Sequence, residues 1–402
     1  MTPAQGMGQE RAREVAASFD LRALPADFHA DPYPVYDQLR QHTPVRKMPD
    51  GSWFLTRYDD LVAVYRDART FSSDKKVEFA PKYKDGALFA HHTTSLVFND
   101  PPRHTRVRKP IMGALTRRAI AELEEGLVSL VDRLLDAIEW RGTGDLIEEF
   151  AAAIPVEVIG NLLDVPPADR APLRGWSLAI LGALEPVLTP QQEALGNQSV
   201  TDFCAYLKDL IGERHRHPGD PEHDVLTRLL RDDSPDGPLT EPELLQNCIF
   251  ILNAGHETTT NLIGNALVCL QHHAQAREQL LDDLRQAASD VTRRDACLDT
   301  AVDEFLRFES SNQLGNRRAV RDCNISTTPL PAGALVTLCI GAANRDPAQF
   351  AEPQMLDLRR TENRHLAFGF GIHQCAGLSL ARLEGRIAIG RFLQRFPHYH
   401  LT

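Results

Sequence analysis

Phe368-Gly369-Phe370-Gly371-Ile372-His373-Gln374-Cys375-Ala376-Gly377 decides how the rest of this 402-residue chain is read. One cysteine lies in a glycine-rich loop, and an apolar helical period follows at once through Leu378, Leu380, Ala381, Leu383, Ile387, Ile389, Phe392 and Leu393. Backbone N–H dipoles at a helix start stabilise a thiolate. Glycines remove the side chains that would hold a backbone away from a flat group. A lone cysteine before a helix is ordinarily a core thiol; the phenylalanine and glycine spacing sets this one apart.

The spacing of Phe368, Gly371, Cys375 and Gly377 resembles, without departure, the cysteine-ligand loop of the cytochrome P-450 family of haem-thiolate monooxygenases. The resemblance implies that Cys375 is the axial ligand of the iron in haem b (iron protoporphyrin IX), with Phe368, Gly369 and Gly377 shaping the loop around it. It covers nearly the whole chain. It implies a mainly α fold with a minor β lobe (α+β) and a long central helix over the haem, as one haem domain spanning 1–402.

Composition agrees with a large globular unit: 43% of residues are hydrophobic, and no linker, repeat or low-complexity tract interrupts them. The net charge of −11 argues against nonspecific nucleic-acid binding. Met1 to Asp20 is polar, with Glu10, Arg11, Arg13 and Glu14, and no run approaches the ~20 apolar residues that span a bilayer. A soluble cytoplasmic protein is expected, with neither nucleic acid nor membrane as partner. The seven scattered cysteines, without a CxxC, disfavour disulfide frameworks, zinc ribbons and covalent haem attachment.

Along the chain, Val45–Met48 and Trp53–Thr56 flank the turn Pro49-Asp50-Gly51, with a helix expected over Asp59–Asp67. Residues 74–96, with Lys75, Lys76, Lys82 and Lys84, read as a long polar loop, and His91-His92 as exposed. Helices dominate from about 100 to 310 and 376 to 396. Strands are expected near 40–60 and 314–345, including Arg317–Arg321 and Ala334–Ile340 after the turn Pro329–Gly333.

Thr240, Glu243, Leu239 and Leu244 form a capping box and hydrophobic staple that start a helix running to about Leu270. In its middle, Ala254-Gly255-His256-Glu257-Thr258-Thr259 holds poor helix formers where burial should be greatest. An HExxH zinc site fails because the fifth position is Thr260. Threonines bonded back to helix carbonyls would be an ordinary structural account. The segment resembles the family's oxygen-binding groove. The resemblance implies that Ala254 and Gly255 let haem and dioxygen approach, that Thr258 hydrogen-bonds the bound oxygen or a water, and that Glu257 delivers protons.

Glu304 and Arg307 resemble the family's ExxR pair, implied to be buried and completed by an arginine, for which Arg360 aligns best. His104 and Arg108 resemble its HxxxR segment, with Asp100 as cap and Pro110 expected to kink or end the helix; Arg317 and His365 match two further partners for the haem propionates. Arg103, Arg106 and Lys109 are expected to face outward, where a basic patch would suit an acidic electron donor. Phe250, Asn253 and Asn312 are candidate substrate contacts. The polar asparagines suggest a mainly apolar substrate with a hydrogen-bonding group.

The implied activity is insertion of one oxygen atom from O2 into a small organic substrate, by hydroxylation or O-dealkylation. Electrons would come from NAD(P)H through a separate reductase and a ferredoxin-type donor. A peroxide-dependent peroxygenase or haem isomerase, and a non-catalytic haem sensor or carrier, are the alternatives.

Overall fold

Pro49-Asp50-Gly51 turns the chain as its residue types demand, Gly51 taking a φ of +86° that other residues adopt only under strain. The turn joins β1 (Val45–Lys47) to β2 (Trp53–Leu55) as an antiparallel hairpin. The computed structural model describes residues 16–221, 224–231 and 237–402. Glu10, Arg11, Arg13 and Glu14 therefore lie outside the described residues. The fold is mainly α with a small β portion, and the chain divides into two compact units.

Of the described residues, the first unit comprises 16–73, 306–356 and 362–375. It holds α1 (Tyr33–His42), α2 (Tyr58–Arg66), β1, β2, β3 (Phe71–Ser72), β4 (Leu314–Ala319), β5 (Cys323–Ile325), β6 (Thr328–Leu330) and β7 (Leu335–Cys339). Five strands form one sheet in the order β1-β2-β7-β4-β3, and β5 pairs with β6 separately. Apolar residues alternating inward, such as Val336 and Leu338, pack with Leu55, Leu61 and Leu366. Arg317 lies inside β4, opposite Val336, rather than opening a strand. Pro329 and Leu330 belong to β6, so the turn that precedes β7 begins at Pro331. Pro329 is tolerated because this two-stranded ribbon has open edges.

The second unit comprises the described residues within 74–305, together with 357–361 and 376–402. Its helices include α3 (Lys76–Tyr83), α4 (Ala87–Thr94), α5 (Arg103–Ala114), α6 (Ala153–Leu162), α7 (Leu173–Gly182), α8 (Pro190–Arg216) and α9 (Glu241–His272). The long α10 (Val291–Phe308) follows, and α11 (Leu378–Arg395) begins three residues after Cys375. Residues 74–96 are thus largely helical, not a loop. Tyr83 and Leu88 reach the core, and His91 and His92 are buried rather than exposed. These anchors, absent from any local periodicity, override the polar composition. Three of the four lysines are held there: Lys75 is buried, Lys76 pairs with Asp74 at 3.0 Å, and Lys82 donates to the Glu185 carbonyl at 2.7 Å, while Lys84 is exposed.

Thr240 caps α9 with both halves of the capping box present. The helix's 32 residues give it a length of about 48 Å. Among the described residues, no helix is long and apolar enough to cross a membrane.

Candidate active site

Within the first unit, Cys375 sits half-buried and donates its backbone N–H to the Phe368 carbonyl at 2.8 Å, closing the loop around its own sulfur. Gly371 has φ +72°, and a Cβ there would lie 2.5 Å from the Tyr65 carbonyl oxygen, so only glycine fits. Gly377, which belongs to the second unit, has no heavy atom other than those of its chain neighbours within 4 Å of its Cβ position. The Phe368 ring meets that of His365 at 5.6 Å between centroids. Arg317, half-buried, stacks its guanidinium 5.2 Å from the Tyr65 ring. Asn312 is exposed between α10 and β4.

Within the second unit, α9 buries most of its length, yet Ala254 and Thr258 are exposed in its middle. Thr258 Oγ1 donates to the Ala254 carbonyl at 2.7 Å, and Thr260 to that of His256 at 2.9 Å. Such back-bonding offers a hydroxyl an internal partner that it can exchange for an external one. Glu257 is half-buried; burial, then the negative charge of Glu185, pushes its carboxyl above the usual range. It therefore holds a proton more readily than an exposed glutamate does. His256 faces inward, its Nδ1 3.3 Å from Ser177 Oγ, and burial followed by the charge of Arg174 pushes it down to about 4.

A Cβ at Gly255 would lie 2.8 Å from Ile159 Cδ1, so the missing side chain leaves room for α6. His104 is buried and Arg108 half-buried on α5. The N-cap of α5 is Pro102, not Asp100, and the helix runs four residues beyond Pro110. Arg103 and Arg106 do not form an open basic patch, because both turn to the Glu243 carboxylate. Burial opposes ionisation of Glu243, but hydrogen bonds from Arg106 and Thr240 pull it down to about 2. Local pattern could not show this, since Glu243 lies 140 residues from Arg103.

Glu304 is fully buried on α10; it accepts the Asp357 N–H at 2.9 Å and Arg360 Nε at 3.2 Å. Arg359 instead reaches Asp283 at 2.8 Å. Arg307, also fully buried, donates to the carbonyls of Asn344, Pro353 and Met355 at 3.0, 2.9 and 3.0 Å.

The donor set fits a haem. In the first unit the half-buried thiol of Cys375 suits an iron ligand, and Arg317 and His365 are residue types that suit a carboxylate; in the second unit His104 and Arg108 are residue types that suit one too. The exposed Ala254 and Thr258 suit approach of a flat group to α9.

A family model described as Cytochrome P450 matches residues 178–400. The chain is 36% identical over 382 residues to the biotin biosynthesis cytochrome P450 of Bacillus subtilis, covering 94% of this chain and 92% of that one. It is 37% identical over 386 residues to the cytochrome P450 monooxygenase PikC of Streptomyces venezuelae, covering 94% and 87%. Among solved structures, P450BioI in complex with an acyl carrier protein ligated to hexadec-9Z-enoic acid is similar with a TM-score of 0.85 at 35% identity, over 93% of this chain and 94% of that one.

Proposed function

Because this chain belongs to the cytochrome P450 family and carries haem b, we propose that it oxygenates a mainly apolar small molecule, by hydroxylation or O-dealkylation, with electrons from NAD(P)H through a separate reductase and a ferredoxin-type donor. The observation that carries the reading is the Cys375 loop, closed by its bond to the Phe368 carbonyl and followed at once by α11. Haem b, when bound, supplies the iron centre at which dioxygen is reduced. The balance is one O2, two electrons and two protons per substrate, with one oxygen entering the product and the other leaving as water.

Cys375 would hold the iron through sulfur, with Phe368, Gly369 and Gly377 around it. His104, Arg108, Arg317 and His365 would hold the carboxylates. Glu257 releases and regains protons, its raised affinity bringing it nearer to neutral pH. Thr258 would give up its bond to Ala254 to hydrogen-bond a water or dioxygen. Glu304, Arg307 and Arg360 keep the scaffold in place. Ala254 lines the approach, and Phe250, Asn253 and Asn312 contact substrate. The chain acts as a single domain of two lobes, in the cytoplasm.

Relatives at 36–37% identity carry names as different as biotin biosynthesis and vitamin D(3) 25-hydroxylation, so this chain's substrate must be read from its own residues. The test is the Soret band of the reduced, carbon monoxide-treated protein. A red-shifted thiolate-type band, absent in Cys375→Ala, is expected, as is substrate-dependent NAD(P)H consumption with surrogate partners. A wild-type protein without that band refutes the assignment.

A further inference from the structure

Asn247 and Asn253 are both buried on α9, yet only one is fully used. Asn247 accepts the Leu96 N–H at 2.9 Å and donates to the Glu243 carbonyl at 2.7 Å. Asn253, 3% exposed, meets His91 Nε2 through Nδ2 at 3.4 Å, while its Oδ1 has no partner among the described residues. His91 Nδ1 lies 2.9 Å from Gln246 Oε1, and Gln246 Nε2 donates onward to Cys204 Sγ at 3.4 Å.

These contacts run in one direction. Gln246 offers an oxygen, so His91 Nδ1 carries the hydrogen; Nε2 then accepts, and the Asn253 amide turns its NH2 toward it. The amide oxygen is left over as an acceptor. Burial pushes His91 down to about 4 against the pull of its Gln246 bond, so the imidazole stays neutral and keeps this tautomer near neutral pH. Beside it, His92 Nε2 also has no partner among the described residues. At 100° per residue, Phe250, Asn253, Ala254 and Glu257 fall within an arc of about 100° on α9, the arc that includes exposed Ala254. Buried amide oxygens nearly always have partners, protein or water, so an unused one on such a face is an acceptor that a ligand donor can take.

Resting on the monooxygenase reading above, we propose that Asn253 Oδ1, oriented by His91 and Gln246, accepts a hydrogen bond from a hydroxyl or N–H of the substrate, selecting apolar molecules that carry one such donor. A donor that pairs with this oxygen removes an unsatisfied group, whereas the same molecule methylated at that position leaves it stranded.

The experiment titrates ferric holo-protein with matched pairs: dodecan-1-ol against 1-methoxydodecane, cyclododecanol against methoxycyclododecane, and testosterone against its 17-methyl ether. Binding is read from the Soret shift, without turnover. In wild type at least one alcohol should bind about tenfold more tightly than its ether. In Asn253→Leu the ratio should fall to about one, and in His91→Phe, which removes the orienting acceptor without touching residue 253, it should also fall. Ratios of about one for every pair in wild type, a lack of response to every alcohol, or a preference that survives both substitutions overturns the assignment. The carbon monoxide band separates the two levels: its absence from wild type sinks the monooxygenase reading, whereas its presence without alcohol preference sinks only the role given to Asn253.

Discussion

Glu257 and Glu384 are both carboxyls held above their ordinary range, but by different surroundings. Glu257 is half-buried with Glu185 adding repulsion, a setting from which a proton can still leave. Replacing it with glutamine keeps the size and removes the titration. Product formation should fall about 10²-fold or more while the carbon monoxide band persists. Glu384, on α11, is fully buried, with Oε2 unpartnered among the described residues, and burial alone pushes it up to about 8. Its folded pKa lies above the ordinary 4.5, so its contribution to stability is intact below that value and is lost as pH rises through 8. Glu384→Gln should therefore have little effect on Tm at about pH 5. At about pH 9 it should be stabilising, by about 1–3 kcal/mol, as thermal melts at the two pH values would show. The sequence marks Glu257 through its neighbours Ala254 and Thr258. Glu384 carries no such mark, because an acid in an amphipathic period is ordinarily a solvated one.

At the scale of the element, α9 combines a start written in the sequence with a middle decided by its neighbours. Thr240, Glu243, Leu239 and Leu244 specify the first turn through contacts within five residues, and the helix begins where they predict. Thr240→Ala should lower stability by about 1 kcal/mol in denaturant melts, the ordinary worth of an N-cap. The middle behaves otherwise. At Gly255, Ile159 of α6 occupies the space that a side chain would take. Gly255→Ala should then destabilise by about 1–3 kcal/mol despite the better helix propensity of alanine. Ile159→Val removes the atom 2.8 Å away and should recover most of that loss in a double-mutant cycle. Additive effects would show that the two helices do not share this constraint. Residues 74–96 teach the same lesson: α3 and α4 form because Tyr83, Leu88, His91 and His92 find buried positions, which their polar flanks conceal.

Across the whole molecule, buried ionic groups are the costliest features to disturb. Glu304 carries Arg360 and the Asp357 N–H within the second unit, and Arg307 holds three carbonyls within the first. Glu304→Ala leaves the Arg360 guanidinium without its buried counter-charge, and a loss of about 3–5 kcal/mol is expected. The yield of folded, haem-loaded protein should drop sharply; normal yield and haem content in that variant would count against this role for the pair. Arg359→Ala is the control, since the arginine of its pair with Asp283 is exposed, and yield and haem content should stay close to wild type.

By itself the sequence determined the features that live in short range along the chain. These are the cysteine loop and the helix behind it, the capped start of α9, the β1–β2 turn, and through them the family and its cofactor. Such features depend on dihedral preference and periodicity, which neighbouring residues set. Only the tertiary structure decided which polar groups are in water. It gave Arg103 and Arg106 to Glu243, closed Ile159 over Gly255, and buried His91 against Gln246 and Asn253, 155 and 162 residues away. Solvation is set by whatever segment covers a group, and for these residues the covering segment is far away in the chain.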